Sequence, residues 1–220
     1  MMVDISVIIP YHQDRGYLFD AIESYEAQEF TGTSELILSH NPTFSLGQNF
    51  NAGVAKANGK YIKILPDDDL LTPNSLQDLF DFAEQKQADL VFAEAYNITD
   101  DNARGWNSEG HYIPNISQGI TLESLLDSNF IHGGTTLYRT SMIREMGGYD
   151  ESLWTAEEYE FHLRCLAKGY KFCYVPSIVF EYRVWLSSKS IIYRSTPRHS
   201  EIRKQLIKDI RDKFREPSNT

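Results

Sequence analysis

The sequence has few cysteines and no long apolar run, and each absence excludes a class of protein. Among its 220 residues only Cys165 and Cys173 are cysteines, and they form no CxxC pair. Neither a disulfide framework nor a cysteine-ligated zinc site is therefore expected, and a reducing compartment is the default. No stretch is apolar over the length that a membrane-spanning helix needs, and MMVDISVIIP is too short and too acidic for a signal peptide. We expect a cytoplasmic protein.

Positive charge is also scarce. The chain has 21 Lys and Arg against 31 Asp and Glu, which gives a formal net charge of −10. A negative surplus disfavours a broad nucleic-acid-binding surface, and an anionic ligand then needs a local cation or a metal ion. Gly-rich phosphate loops of the P-loop or dinucleotide type are missing as well. No nucleic-acid partner is expected.

The first half of the chain alternates strand-like and helical segments. Apolar runs typical of buried strands occupy residues 5–10, 35–39, 60–65 and 88–93. Helices are expected near residues 16–29, 48–58 and 73–87. Thr72 and Pro73 predict the start of the third helix, because threonine can cap a helix and proline fits its first position. The alternation predicts an α/β domain with a mostly parallel central sheet flanked by helices.

The second half is less regular. The polar residues 97–120 predict a long surface loop. Strand 135–139, helices 140–146 and 156–168 and two late strands, KFCYVP and SIVFEYRV, are expected to follow. Residues 1–195 would form one domain, and residues 196–220 a basic amphipathic helix and tail. The apolar stripe of that helix would either pack on the core or lie on an anionic membrane as a peripheral contact.

Three consecutive carboxylates, Asp67, Asp68 and Asp69, follow the strand at 60–65. A solvated turn is one interpretation. The other is a divalent cation, which offsets the mutual repulsion of the carboxylates. Alternation along an extended segment would point Asp67 and Asp69 the same way, and turn geometry would leave Asp68 open as a further ligand. Hard oxygen ligands suit Mg²⁺ or Mn²⁺.

The order of the motifs resembles a known family. ISVIIPYH, then NAGVAKANGKYIKILPDDD, then GGTTLYRTSMIREMGGYDESLWTAEEYEFHLRCLAKGYK are similar to the inverting family 2 glycosyltransferases of GT-A fold, over about residues 4–185. The resemblance implies one GT-A-like domain that transfers a sugar from a nucleotide-diphosphate donor, a UDP-sugar being favoured. The acceptor would be a saccharide or a lipid-linked molecule in surface polysaccharide or glycoconjugate biosynthesis.

The resemblance also implies roles for individual residues. Mn²⁺ or Mg²⁺ would be held by Asp67, Asp68 and Asp69, and Glu158, beside Glu157, would be the catalytic base. Donor-binding positions would be Pro10, Tyr11, His12, Asn41, Asn51, Gly53, Asp67 and Asp68. Acceptor-binding positions would be His132, Gly133, Gly134 and Trp154. Packing alternatives stay open for several of these, including a glycine that lets a helix approach the sheet and a tryptophan that covers the core.

The sequence departs from the family pattern at three places. Ser39, His40 and Asn41 stand where the family has an Asp-rich turn that helps to bind the base, so the nucleotide is not identified. Glu158 replaces the commoner Asp, which lengthens the base by one methylene. Trp185 stands where many relatives have a histidine near the metal.

Other roles compete with this interpretation. Thr155 to Glu158 also fits a capping box, in which Glu158 would serve the helix start. At the level of function, a sugar nucleotidyltransferase shares the architecture, although YHQDRGYL is a poor match to its Gly-rich basic loop. A non-catalytic nucleotide- or sugar-binding protein on the same fold is the third possibility.

Overall fold

The computed structural model describes residues 3–99, 110–184 and 196–215. The strands are β1 Val3–Tyr11, β2 Ser34–His40, β3 Gly59–Ile64, β4 Leu70–Leu71, β5 Leu90–Ile98, β6 His111–Tyr112, β7 Leu137–Arg139 and β8 Phe172–Arg183. The helices are α1 Leu18–Glu26, α2 Leu46–Lys56, α3 Ser75–Lys86, α4 Leu122–Asp127, α5 Thr140–Glu145, α6 Glu157–Ala167 and α7 Pro197–Arg215. Trp185 and the central part of the expected 97–120 loop lie outside the described residues.

The described strands form one mixed sheet in the order β2-β1-β3-β7-β5-β8-β4, and β6 pairs with β5. The three longest ladders are parallel, β1 with β2, β1 with β3, and β5 with β8. The shorter ladders, which involve β4, β6 and β7, are antiparallel. Because β1, β2 and β3 run parallel, their carboxyl ends meet at one edge, the usual ligand edge of an open α/β sheet.

The core has two parts, one on each face of the sheet. Ile8 and Ile62 belong to the cluster that α2, α4, α5, α6 and α7 cover, whereas Val7 and Tyr61 belong to the cluster that α1 and α3 cover. This division follows from the strand alternation, since successive side chains point to opposite faces. Lys63, fully buried, is the last residue but one of β3.

Three predicted boundaries are wrong. The Thr72 hydroxyl donates to the carbonyl of Ile178 on β8 at 2.8 Å, so it does not cap a helix, and α3 begins at Ser75 after Asn74. The two late strands are one strand, β8, which continues through Pro176. The strand expected at 135–139 begins only at Leu137, because a 3₁₀ turn occupies Gly133–Thr135.

Helix α7 packs on the core. Its Ile210 is buried, and Leu206, Ile207 and Phe214 contact the same cluster. Arg211 Nε donates to the Tyr159 hydroxyl on α6 at 2.9 Å. These contacts support the packing alternative for its apolar stripe. Within the described ranges, no helix combines the length and the apolar character required to cross a membrane.

We predict that Ile210→Ala lowers the free energy of unfolding by about 2 to 5 kcal/mol, because it removes a buried aliphatic side chain and leaves a cavity. The matched control is Ile202→Ala on the same helix, where the side chain is 45% exposed and the change should stay within about 0.5 kcal/mol. Urea denaturation measures both. Equal effects of the two substitutions would contradict the packing of α7.

Candidate active site

The acidic triplet lies between β3 and β4, and its three side chains differ in burial. Asp67 and Asp69 are 3% and 2% exposed, whereas Asp68 is partly exposed. Arg15 Nη2 contacts Asp67 Oδ1 at 2.9 Å and Asp68 Oδ2 at 3.8 Å. Asp69 Oδ1 accepts a hydrogen bond from the backbone N–H of Arg183 at 2.8 Å. The solvated-turn interpretation therefore fails for two of the three carboxylates.

Burial raises the pKa values of both buried carboxylates. The pKa of Asp67 rises to about 6, chiefly through desolvation, although the Arg15 charge opposes the increase. The pKa of Asp69 rises well above its ordinary value, again through burial first and then through the charge of Asp68. A group of carboxylates with unfavourable ionisation is one that a bound cation would stabilise.

Arg183, at the end of β8, is a buried cation beside the triplet. Its Nε donates to the carbonyl of Asp68 at 2.7 Å, and its Nη2 lies 3.4 Å from Asp20 Oδ2 on α1. The guanidinium also stacks over the Tyr17 ring at 4.4 Å. Arg183 thus holds the acidic turn at two points: its main-chain N–H donates to the side chain of Asp69, and its guanidinium donates to the backbone carbonyl of Asp68.

The residues of the triplet fit a metal ion only as part of a shared site. No group of three metal-ligating side chains occurs within residues 3–99, 110–184 and 196–215. Two buried carboxylates on one turn are nevertheless the protein share that Mg²⁺ or Mn²⁺ commonly takes when substrate phosphates supply the remaining oxygens. The donor set consists of hard oxygens, which matches these ions.

Helix α6 presents the candidate base. The alternative of a capping box at Thr155–Glu158 is wrong, since the helix begins at Glu157 after Ala156, which has a left-handed φ of 62° and makes no side-chain cap. Glu157 is buried, with its Cγ near the start of α2 at Gly47. Glu158 is partly exposed, and its carboxyl group packs directly on Gly133.

Asn51 and Gly53 on α2 make packing contacts, and the sequence alone did not decide between such contacts and donor binding. The Asn51 side chain accepts from Tyr149 N at 2.9 Å and donates to Tyr149 O at 2.9 Å, so it fastens α2 to the loop before α6. A Cβ on Gly53 would lie 2.4 Å from Ile8 Cγ2. Gly53 therefore lets α2 approach β1, and these contacts account for both residues without a donor.

The carboxyl ends of β1 and β2 bring the other expected donor residues together. Tyr11 stacks on His40 with a centroid separation of 4.5 Å. Tyr11 follows the buried Pro10 at the end of β1, His40 ends the neighbouring β2, and His12 is exposed. The side-chain oxygen of Asn41 accepts a hydrogen bond from Thr43 N at 3.0 Å, and the backbone carbonyl of Asn41 accepts one from Asn49 Nδ2 at 3.0 Å. This edge offers an aromatic pair rather than carboxylates.

The expected acceptor residues lie in the 3₁₀ turn and before α6. His132 Nδ1 accepts from Gly134 N at 3.2 Å. Burial, with the charge of Lys63, lowers the pKa of His132 to about 4. His132 is therefore neutral at pH 7 and caps the turn. Trp154 is 36% exposed.

Sequence reasoning missed two buried cations, Lys63 and Arg183. Burial lowers the pKa of Lys63 to about 7, while the charges of Asp69 and Glu158 oppose that decrease. Lys63 could have been found, because a lysine in the middle of an apolar central strand has to be buried and needs partners. Arg183 carried no such signal, since its partners are remote in sequence.

Comparison with known proteins identifies the family. Residues 32–147, more than half of the chain, match the model of the family described as Glycosyl transferase family 2. The chain belongs to glycosyl transferase family 2. A protein named an uncharacterised glycosyltransferase in Methanocaldococcus jannaschii is 26% identical, with 81% of this chain and 69% of that protein covered. One from Rickettsia prowazekii is 24% identical, with 84% and 63% covered.

Solved structures confirm the GT-A-like fold of this family 2 chain. TarS of S. aureus in complex with UDP-GlcNAc superposes with a TM-score of 0.68 at 16% identity, covering 94% of this chain and 66% of that one. TarS in complex with UDP gives 0.65 at 17% identity, covering 87% and 63%. The family 2 chain thus spans about two thirds of the length of these relatives.

We predict that Asp67→Asn stabilises the metal-free protein in a pH-dependent way. Because the folded-state pKa of Asp67 lies above its ordinary value, the folded state binds the proton more tightly, and ionisation costs stability as the pH rises from about 4 to 6. The variant should gain about 1 to 3 kcal/mol over wild type above pH 6 and lose that gain towards pH 4.

Urea denaturation in chelator-treated buffer between about pH 4 and 7.5 measures this difference. Asp68→Asn is the matched control, and it should show a smaller gain because Asp68 is more exposed. A gain for Asp67→Asn that does not vary with pH would show that burial does not hold the carboxyl group in its protonated form.

Proposed function

We propose that the chain is an inverting glycosyltransferase that moves a sugar from a UDP-sugar to a saccharide or lipid-linked acceptor, in surface polysaccharide or glycoconjugate biosynthesis. The observation that supports this most is the position of Glu158, whose carboxyl group packs on Gly133. The carbonyl of the adjacent Gly134 accepts a hydrogen bond from Lys63, on the strand that leads into the acidic turn. The candidate base is therefore connected to that strand through one buried side chain.

In the proposed reaction, the acceptor oxygen forms a bond to the anomeric carbon while the bond from that carbon to the diphosphate breaks. The acceptor proton passes to the Glu158 carboxylate, and the electron pair leaves with UDP. Attack opposite to the leaving group inverts the anomeric centre. Glu158 lies in the first turn of α6, and the amino end of a helix interacts favourably with a carboxylate.

Mn²⁺ or Mg²⁺, held by Asp67 and Asp69, would stabilise negative charge on the leaving diphosphate. Asp68 is the more exposed ligand candidate. Arg15 contributes a fixed cation at the same turn, since its guanidinium contacts Asp67 at 2.9 Å. It would add a positive charge for a leaving group whose charge increases in the transition state.

UDP as the nucleotide is supported by the complexes of TarS with UDP and UDP-GlcNAc. The stacked Tyr11–His40 pair lies at the strand edge where the base would bind. The lipid-linked form of the acceptor would bring the protein to the inner face of a membrane. The exposed lysines Lys204 and Lys208 on α7 would suit its anionic surface.

We predict that Glu158→Gln reduces UDP release from a UDP-sugar by about 10²-fold or more, because the amide cannot accept the acceptor's proton. Binding of UDP, measured by calorimetry, should stay within about twofold of wild type, a difference of about 0.4 kcal/mol. The matched control is Glu123→Gln, an exposed glutamate in the first turn of α4, which should leave release unchanged. Wild-type release by Glu158→Gln would remove the residue as the base.

We predict that Asp69→Asn abolishes the Mn²⁺-dependent increase in melting temperature that UDP-GlcNAc produces in the wild type, since a neutral amide is a poor ligand for a hard cation. The amide oxygen can still accept the hydrogen bond from Arg183 N, so the variant should stay folded. Asp81→Asn, at an exposed position on α3, is the control. An unchanged Mn²⁺-dependent increase in Asp69→Asn would exclude the triplet as the metal site.

A further inference from the structure

Gly133 is a glycine because the Glu158 carboxyl group occupies the space of a side chain. A Cβ built on Gly133 would lie 2.2 Å from Glu158 Cδ, 2.2 Å from Oε1 and 2.4 Å from Oε2. Gly133 is not among the residues of positive φ, so its backbone conformation is open to any amino acid. The requirement is one of space alone. The carboxyl group of the proposed base therefore rests on the Gly133 Cα.

Residues of β3 and β8 contact the turn that carries Gly133. The Lys63 ammonium on β3 donates to the carbonyl of Gly134 and to that of Ile64 at 3.0 Å. A Cβ on Gly134 would lie 2.2 Å from the Phe180 ring, and Thr136 Oγ1 donates to the Gly133 carbonyl at 2.5 Å. Strands β3 and β8 thus fix the main chain on which Glu158 rests.

Lys63 is suited to this anchoring for electrostatic reasons. Its side chain is fully buried, and the ammonium lies 5.1 Å from the centre of the Phe180 ring. Desolvation opposes its charge, and the carboxylates of Asp69 and Glu158 oppose that effect. The same ammonium therefore makes a hydrogen bond to the Gly133–Gly134 turn and interacts favourably with the charges of Asp69 and Glu158.

We propose that Lys63 is a positioning residue, which anchors the Gly133–Gly134 turn and thereby fixes the carboxylate of Glu158 relative to Asp69. The catalytic role rests on the proposed function, in which Glu158 is the base, and Lys63 would then determine where that base lies. The glycine at position 133 also explains why a glutamate fits where the family commonly has an aspartate. The missing side chain at Gly133 leaves the space into which the carboxyl group of a glutamate extends.

The first test is Lys63→Met, with Lys60→Met as control. Methionine fills the volume without the ammonium, and Lys60 lies on the same strand at the surface, 47% exposed. Crystal structures of both variants should show the Glu158 carboxyl group displaced from Gly133 only in Lys63→Met. In UDP release from UDP-GlcNAc or UDP-glucose, kcat should fall at least tenfold for Lys63→Met, with the Kd for UDP unchanged. An undisplaced carboxyl group, or wild-type kcat, would overturn the inference.

The second test avoids the buried charge, in case Lys63→Met does not fold. Gly133→Ala should displace the Glu158 carboxyl group and reduce kcat at least tenfold. Shortening the base in Gly133→Ala/Glu158→Asp should recover most of that loss relative to Glu158→Asp alone, because the two residues compete for one space. Additive losses in the double variant would overturn the inference.

The two levels of the proposal fail differently. Wild-type protein that binds UDP but releases none from either UDP-sugar would contradict the proposed function. The crystal structures of Lys63→Met and Gly133→Ala would then decide the positioning inference alone, since displacement of the carboxyl group needs no turnover. Activity in the wild type with an undisturbed Glu158 in both variants would leave the function standing and refute the role of Lys63.

Discussion

Carboxylates can be buried together at one edge of a sheet only if buried cations accompany them, and Lys63 and Arg183 meet that requirement here. An uncompensated charge in a protein interior costs several kcal/mol, and Asp67 and Asp69 are both almost fully buried. Arg183 approaches from β8 and bonds the acidic turn at two points. Lys63 extends from β3, and its positive charge interacts favourably with the carboxylates of Asp69 and Glu158. Strands β3 and β8 and helix α6 therefore contribute Lys63, Arg183 and Glu158, respectively, to this part of the domain.

Three glycines let neighbouring side chains approach the backbone closely. Gly53 brings α2 onto Ile8, and Gly133 accommodates the Glu158 carboxyl group. Gly148, with a φ of +74°, leaves room for the Asn51 amide, since a Cβ there would lie 2.4 Å from Asn51 Oδ1. In each case a polar or branched side chain fills the missing volume. At Gly53 and Gly133 a substitution displaces a neighbouring side chain, whereas at Gly148 it would also strain the backbone, because φ is positive there.

Local patterns in the sequence were sufficient for β1 to β3, for α1 to α3, for α5 and α6 and for the position of the acidic triplet, because periodicity and composition act over a few residues. They did not show α4, β4 or β6, and β6 lies inside the expected loop at 97–120. They failed where a remote partner decided the outcome. Thr72 bonds to β8 rather than capping α3, and Ala156 takes the left-handed conformation that ends the expected capping box. Arg183 was missed for the same reason. Arg183 reaches the acidic turn only because β8 packs beside it, and no residue near Arg183 in the sequence indicates that contact.

The long separation between the acidic turn and its partner has a consequence for how the protein is made. Arg183 follows Asp69 by 114 residues, so at synthesis rates of about 5 to 20 residues per second the carboxylates wait roughly 6 to 23 seconds for their buried cation. During that interval the turn has to remain in water, because burying it alone is unfavourable. Once β8 has been synthesised, Arg183 can bind the acidic turn and Phe180 can pack against Gly134. The buried form of the acidic turn is therefore completed late on the ribosome, and its completion depends on the synthesis of a single strand, β8.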